Sequence, residues 1–216
     1  MQPVRERYQH ELGLLERELL ALGKAADEAV GRALWALHQR ATGEAQAIVR
    51  DDTNLDEAAN ALQEHALQVM ALQGPVASDL RLVSSILHFA RELERIGDYC
   101  KGIAGLVLRF AELPPIELPP ELNEMAKEAR LMLAEALDAL VQRDATVHLR
   151  LKQRDKLVDD CYERLVITIT ARMQADPAMV LPGTYLLWVN HNLERIADRA
   201  TNIGKYVKFI VSGKLR

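Results

Sequence analysis

Near its midpoint the chain of 216 residues carries the stretch Leu113-Pro114-Pro115-Ile116-Glu117-Leu118-Pro119-Pro120, which holds four of its eight prolines. Proline interrupts a helix, because it has no backbone N–H and its ring clashes with the preceding turn. We therefore predict a non-helical linker at residues 113–120. One folded unit would precede it, over residues 1–112, and a second would follow it, over residues 121–216.

On both sides of the linker, apolar residues recur at the helical period. In the first helix, Leu12, Leu15 and Leu19 are separated by steps of three and four residues. Ser78 is the expected N-cap of the third helix. Helices of this length favour bundles, so we predict an all-α fold of two tandem three-helix bundles. The six long helices are expected at about residues 4–40, 44–72, 78–110, 121–143, 145–174 and 184–211.

The composition supports a helical protein and excludes several classes of function. Only 5% of the residues are aromatic, which disfavours a β-sandwich or barrel. With 27 Lys and Arg against 31 Asp and Glu, the formal charge is −4, so we expect no binding of nucleic acid. No apolar run approaches the ~18 residues of a membrane span, and no apolar signal segment begins the chain. We therefore expect a cytoplasmic protein.

The two halves of the chain are related in sequence. Leu93-Glu94-Arg95-Ile96-Gly97-Asp98 returns 100 positions later as Leu193-Glu194-Arg195-Ile196-Ala197-Asp198. Farther upstream, residues 33–40 resemble residues 136–143, at an offset of 103 positions. The difference between the two offsets falls in the connection between the second and third helices. A tandem duplication of one three-helix unit explains both matches.

Each unit carries two pairs of acids that are spaced four residues apart. Side chains at this spacing share one helix face, where like charges repel each other by about 0.2–0.5 kcal/mol. If the second and third helices of a unit pack antiparallel, four carboxylates converge and can bind a cation. The alternative is that neighbours such as Arg95 and Arg195 neutralise them in ordinary surface ion pairs. The predicted metal ligands are Asp52, Asp56, Glu94 and Asp98 in the first unit, and Asp155, Asp159, Glu194 and Asp198 in the second.

The sequence offers no arrangement of residues that is typical of catalysis. None of the six histidines follows a glutamate by three residues, so the Glu-x-x-His pairs of ferritin-like proteins are missing. No nucleophile elbow and no phosphate-binding glycine loop is present. Cys100 and Cys161 have no counterparts in the other half, and we expect inert, packed thiols. We predict a protein that is not an enzyme. The alternatives are a carboxylate-bridged metalloenzyme and a metal-free helical scaffold.

Several motifs together resemble the PhoU family of bacterial phosphate-uptake regulators, which act with the phosphate ABC transporter. These motifs are the duplicated unit itself, Leu-Glu-Arg-Ile-x-Asp in both halves, and Pro75-x-x-x-Asp79-Leu80-Arg81 in the first half. The closing segments Asn202-Ile203-Gly204-Lys205-Tyr206-Val207 and Ser212-Gly213 are also similar to the family. The resemblance covers essentially the whole chain.

The resemblance implies multinuclear transition-metal clusters held by the acidic pairs, with iron foremost and zinc, manganese or magnesium as alternatives. It also implies a negative regulator of the phosphate-starvation response that modulates phosphate uptake. Such a protein would be an adaptor between the ATP-binding subunit of the transporter and the phosphate sensor histidine kinase. It would be a homodimer, and it would reach the inner membrane only through these partners.

The two halves also differ from each other near the repeated motif. Gly102 stands where the second half has Asn202, and Tyr99-Cys100 replace the His-Ala that is common in the family. The second half lacks the Asp-Leu-Arg element. Because Gly102 has no side chain, the first half lacks the polar neighbour that Asn202 provides in the second half, which could orient a ligand. We expect the two metal sites to differ in nuclearity or affinity.

Overall fold

The structure is a computed structural model that describes residues 2–214. No strand occurs within this range, so the prediction of an all-α fold with six long helices is confirmed. A short 3-10 helix, Pro177–Met179, precedes the last helix. The helices are α1 (Gln2–Gln39), α2 (Thr42–Gln73), α3 (Ala77–Ala111), α4 (Pro120–Gln142), α5 (Val147–Ala175) and α6 (Val180–Ser212).

The start of α3 differs from the prediction that Ser78 is its N-cap. Val76 takes the N-cap position in an extended conformation, without a side-chain cap. Its carbonyl accepts the first helical hydrogen bonds, from the N–H groups of Asp79 and Leu80. Ser78 lies inside the helix, where its hydroxyl is 3.3 Å from Oδ1 of Asp79. The helix begins earlier because the N-cap carbonyl needs no particular side chain.

The start of α6 also lies earlier than predicted, at Val180 rather than Thr184. Pro182 falls in the first turn of this helix. Proline is tolerated there, because the N–H groups of the first turn have no partner within the helix. Asp176 lies between α5 and the 3-10 helix. Its side chain caps the 3-10 helix by accepting a hydrogen bond from the N–H of Ala178 at 2.9 Å.

One continuous apolar core joins the two three-helix units. In each unit, consecutive helices pack antiparallel to one another. Between the units, α3 packs against α6 along much of its length. Ile96 and Ile103 on α3 are fully buried, as are Ile196 and Ile203 on α6. Each such side chain contributes about 1.5–3 kcal/mol through the hydrophobic effect. The interface between the units is therefore part of the core that stabilises both of them.

Contacts between α3 and α6 show that an approximate twofold axis relates the units. Nδ2 of Asn202 donates to Oε2 of Glu92 at 3.3 Å. A Cβ atom at Gly102 would lie 3.0 Å from Nδ2 of Asn192. At the offset of the duplication, Asn202 corresponds to Gly102 and Asn192 to Glu92. Each contact is thus the counterpart of the other, and the repeated motif lies near the axis.

The segment between the units has no helix from residue 112 to residue 119. Arg40, at the end of α1, donates to the carbonyl oxygens of Phe110 and Leu113 and so fixes the start of this segment. Among residues 2–214, no helix has an apolar stretch sufficient to cross a bilayer.

Candidate metal centres

The four predicted ligands of the first unit lie together between α2 and α3. Asp52 and Asp56 are on α2, and Glu94 and Asp98 are on α3. The close approach of the two helices depends on Gly97. A Cβ atom at this position would lie 3.0 Å from Cδ2 of Leu55 and 3.6 Å from Oδ1 of Asp52. We call these four carboxylates the first centre.

Electrostatic effects within the first centre show that its carboxylates are close enough to repel one another. Burial raises the pKa of Asp56, and the charges of Asp52 and Asp98 raise it further. Burial likewise raises the pKa of Glu94, with a contribution from Asp98. Like charges in a poorly solvated site favour the protonated forms. The site therefore favours a cation that would offset this repulsion.

Two carboxylate oxygens of the first centre lack a hydrogen-bond donor. Oδ1 of Asp52 and Oδ1 of Asp56 are buried and unpaired. The other oxygen of Asp52 accepts a hydrogen bond from Nζ of Lys101 at 2.6 Å. A buried acceptor without a partner costs about 1–3 kcal/mol. Unpaired carboxylate oxygens are suitable ligands for a hard cation.

The second unit brings its four predicted ligands together in the same way, between α5 and α6. Burial raises the pKa of Asp155, with added repulsion from Asp159 and Asp198. Burial also raises the pKa of Asp159, with repulsion from Glu194 and Asp198. We call this group the second centre. Its side chains correspond, one by one, to those of the first centre.

The arginine of each repeated motif forms ion pairs with its neighbouring acids. Arg95 lies 3.9 Å from Glu94 and 3.2 Å from Asp98. Arg195 pairs with Glu194 and lies 3.0 Å from Asp198. Within residues 2–214, no three His, Cys, Asp or Glu side chains are arranged to hold a metal ion. The carboxylates of each centre fit a hard cation in ligand type, but they would bind it only after a change in their side-chain conformations.

One difference between the centres was not predicted from the sequence. Lys101 binds Asp52 in the first centre, whereas Thr201 donates to Oδ1 of Asp155 at 3.2 Å in the second. A comparison at the offset of 100 positions, extended three residues past the motif, would have aligned Lys101 with Thr201. Asn202, expected to orient a ligand, instead contacts Glu92.

The cysteines and the cavity beside the first centre bear on the enzyme alternative. Cys100 and Cys161 are free and buried, as expected, and burial raises the pKa of both thiols. The cavity that borders Asp52 has a volume of about 250 Å³ and is lined mainly by α1 and α2. Ligand pockets usually have volumes of about 300–1,000 Å³. Neither feature favours catalysis.

The sequence is similar to the PhoU domain over two ranges, residues 19–107 and 122–207. One range lies before residues 113–120 and the other after them. A Synechocystis protein named phosphate-specific transport system accessory protein PhoU homolog is 32% identical over 212 residues, which are 98% of this chain and 94% of that protein. The protein of the same name from Streptococcus pneumoniae serotype 4 is 33% identical over 214 residues, which are 98% of each chain.

The fold is similar to solved structures with the same family name. The phosphate transport system regulatory protein PhoU from Streptococcus pneumoniae has a TM-score of 0.88 at 31% identity, over 97% of this chain and 99% of that one. PhoU from Pseudomonas aeruginosa has a TM-score of 0.91 at 31% identity, over 96% of this chain and 100% of that one. These names describe accessory and regulatory proteins rather than enzymes. The resemblance inferred from the sequence motifs is confirmed.

Proposed function

Because the chain belongs to the PhoU family, we propose that it is an accessory protein of a phosphate transport system. In this role it moderates phosphate uptake and represses the phosphate-starvation response. The observation that carries the proposal is the extent of the similarity, which spans 98% of this chain and 98% of the Streptococcus pneumoniae relative. The chain shares the whole architecture of a protein with this name, and not a single module that could serve many functions.

The protein acts as an adaptor between the ATP-binding subunit of the transporter and the phosphate sensor histidine kinase. It works in the cytoplasm and reaches the inner membrane through these partners. The surface of the two units supports a role with two partners. Each unit has one exposed tryptophan that the other unit lacks: Trp35 on α1 and Trp188 on α6. The equivalent positions in the other unit hold Asp138 and His88. Tryptophan is enriched at protein interfaces, so each unit presents its own candidate contact.

Each centre binds metal ions, with iron foremost and zinc, manganese or magnesium as alternatives. Bound cations supply positive charge that neutralises the crowded carboxylates, and their ligands from two helices cross-link those helices. The unpaired oxygens of Asp52 and Asp56 support this assignment. The ligands are Asp52, Asp56, Glu94 and Asp98 in the first centre, and Asp155, Asp159, Glu194 and Asp198 in the second.

Metal binding is tested by elemental analysis of the full chain, isolated without chelators or a metal-affinity column. We expect bound metal in the wild type and loss of most of it in the double variant Glu94→Ala, Glu194→Ala. Glu64→Ala, at an exposed position of α2, is the matched control and should retain the metal. If the wild type holds no more metal than the double variant, the assignment of metal to these centres is refuted, and a wild type without metal would favour the metal-free scaffold.

The regulatory role is tested by deleting the gene in its host. We expect phosphate-responsive genes to be expressed even when phosphate is plentiful, and the wild-type chain to restore repression. The chain should also co-purify with the ATP-binding subunit. If each unit has its own contact, Trp35→Ala and Trp188→Ala should each weaken the binding of a different partner. Unchanged gene expression together with no co-purification would refute the adaptor role.

The proposed function includes self-association of the chain into a homodimer. Exposed apolar side chains on α1, α4 and α5, such as Leu20, Leu131 and Ile167, offer area for such contacts. Light scattering on the full chain at several concentrations measures the mass directly. A mass that stays at the monomer value at high concentration would refute the dimer without affecting the other parts of the function.

A further inference from the structure

We propose that Lys101 is a built-in counter-ion of the first centre, which competes with metal ions for Asp52, so that the second centre fills before the first. This inference rests on the proposed metal binding at both centres and assigns an order to it. The two centres would then respond to different metal concentrations, although they derive from one duplicated unit.

The position of Lys101 allows its ammonium group to occupy a ligand atom. Lys101 follows Asp98 by three residues on α3, so its side chain extends over the same face of the helix. Nζ lies 2.6 Å from Oδ2 of Asp52, whose side chain is only 3% exposed. Lys101 itself remains 46% exposed. The ammonium group therefore reaches inward from the surface to neutralise a buried carboxylate, in a short, charge-assisted hydrogen bond.

At the matching position of the second centre, the half-buried Asp155 forms no ion pair with a cation within residues 2–214. Thr201 occupies the matching position and donates to Asp155 at 3.2 Å, which satisfies one oxygen without neutralising the charge. The nearby Lys205 donates instead to Oδ1 of Asn202 at 3.0 Å. Among the residues that the structure describes, no ion pair shorter than 4.0 Å involves Asp155 or Asp159. The charge of Lys205 acts on Asp155 without a direct ion pair, so a metal ion would displace no bound cation from Asp155 or Asp159.

The arginines do not produce this difference between the centres. Arg95 and Arg195 stand at equivalent positions and pair with equivalent acids. Arg199 is an additional cation near the second centre, but it lies 3.2 Å from Glu92 and 3.9 Å from Asp198. Its closer partner belongs to the other unit and is not a proposed ligand. Lys101 is therefore the charge that distinguishes the first centre at its most buried ligand.

A cavity next to Lys101 can accommodate its side chain when a metal ion displaces it from Asp52. Lys101 borders a cavity of about 500 Å³ between α3 and α6, which Arg109 and Trp188 also line. The flexible four-carbon stem of lysine can move its ammonium group into this solvated space. A change in the side-chain conformation of Lys101 is therefore sufficient to release Asp52.

The test uses the full chain, freed of metal with a chelator and titrated with MnCl₂ by isothermal titration calorimetry. We expect two classes of site in the wild type, whose dissociation constants differ by ~10- to 100-fold, since metal entry at one of them breaks a hydrogen bond between charged groups. Glu94→Gln should remove the weaker class and Glu194→Gln the tighter class. These two variants assign each class to a centre.

Lys101→Thr copies the residue of the second centre and should tighten the weaker class by ~10-fold or more. Lys101→Met retains most of the stem and should have the same effect. Lys101→Arg keeps the charge and should resemble the wild type. Thr201→Lys should weaken the tighter class. Circular dichroism shows whether each variant retains its helices.

The possible failures of the inference and of the function are distinguishable. If Mn²⁺ binds at both centres and none of the Lys101 variants changes the weaker class, the counter-ion role is refuted while metal binding stands. If Glu94→Gln removes the tighter class, the proposed order is reversed and the inference is wrong. If the wild type binds no Mn²⁺ at all, both the metal sites and the inference fail.

Discussion

The side chains of Asn202 and Glu92 join the two units by a hydrogen bond of 3.3 Å between Nδ2 and Oε2. Nη1 of Arg199 lies 3.2 Å from the same oxygen. The carboxylate of Glu92 is only 15% exposed, and both of these partners belong to the other unit. The interface between α3 and α6 is therefore held by a polar cluster as well as by apolar packing.

Replacing Glu92 with alanine should destabilise the whole protein. The change leaves Arg199 without its closest anion, and Nε of Arg199 already lacks a partner. Loss of hydrogen bonds to a partly buried charge should lower the free energy of unfolding by about 2–3 kcal/mol. Urea denaturation followed by circular dichroism measures the change. Glu64→Ala, at an exposed position, should shift stability by less than about 0.5 kcal/mol. Similar losses in both variants would contradict the role of the cluster.

The stability of the packing between α1 and α2 should depend on the protonation of His65. Nδ1 of His65 lies 2.8 Å from Oε2 of Glu18, and Nε2 lies 3.1 Å from Oε2 of Glu11. Burial lowers the pKa of His65, but the hydrogen bonds to Glu18 and Glu11 raise it, and the net pKa is above its usual value. Both ring nitrogens donate only in the imidazolium form.

A raised histidine pKa stabilises the folded state below the pKa of the unfolded chain, near ~6.5. This stabilisation is lost as the pH rises through the folded pKa. His65→Gln should therefore lower the free energy of unfolding by about 1 kcal/mol at pH 6 and by less at pH 9. Urea denaturation at both pH values measures this difference. His10→Gln, at an exposed position of α1, is the control. An effect of His65→Gln that grows with pH would contradict the assignment.

The periodic features of the chain could be predicted from sequence, because repetition and helical spacing are local properties. The helices follow from apolar steps of three or four residues, and the duplication follows from the repeated motif. The proximity of Asp56 to Asp98 follows from acids spaced four residues apart on two neighbouring helices. The start of α3 could not be predicted in this way. Ser78 is a favoured N-cap residue, yet the cap lies at Val76, whose backbone carbonyl accepts the first helical hydrogen bonds without a side-chain cap.

The ion pair between Lys101 and Asp52 also could not be predicted from the sequence pattern. Long side chains bridge helices according to the packing distance and the available rotamers, which leave no period in the sequence. The same holds for Asn202, whose partner is Glu92 across the axis between the units. Contacts of this kind depend on how α3 and α6 pack, and the duplication alone does not specify that packing.

Removing one charge from the second centre should stabilise the metal-free protein. Burial and the neighbouring carboxylates raise the pKa of Asp155. An acid with a raised folded pKa favours the folded state at low pH, and this benefit is lost as the pH rises through that pKa. Asp155→Asn retains the acceptor for Thr201 and removes the repulsion. The free energy of unfolding should therefore rise by about 0.5 kcal/mol at pH 7 in the presence of a chelator, the scale of one like-charge pair at this spacing.

The gain from Asp155→Asn should vanish below about pH 4, where aspartate becomes protonated in both states. Chemical denaturation at pH 7 and pH 3.5 measures both parts of this prediction. Asp138→Asn, at an exposed position of α4, controls for the change of net charge. If Asp155→Asn destabilises the chelated protein at pH 7 while Asp138→Asn does not, the carboxylates do not repel one another as described.

Two glycines in helix interiors should respond in opposite ways to replacement by alanine. A Cβ atom at Gly105 of α3 would meet no atom within 4 Å. Gly105→Ala should therefore raise the free energy of unfolding by up to about 1 kcal/mol, through its helix propensity. A Cβ atom at Gly204 of α6 would lie 2.5 Å from Cδ1 of Leu151, a side chain that is fully buried in the core.

Leu151 has little room to move, because protein cores are closely packed. Overpacking at such a site costs about 1–3 kcal/mol, which should exceed the gain in helix propensity. Gly204→Ala should therefore lower the free energy of unfolding, and Gly204→Ala combined with Leu151→Val should recover part of that loss. Urea denaturation of the two single variants and the double variant measures these effects. A stabilising effect of Gly204→Ala comparable to that of Gly105→Ala would show that α5 and α6 can separate freely, in conflict with the close contact that positions the second centre.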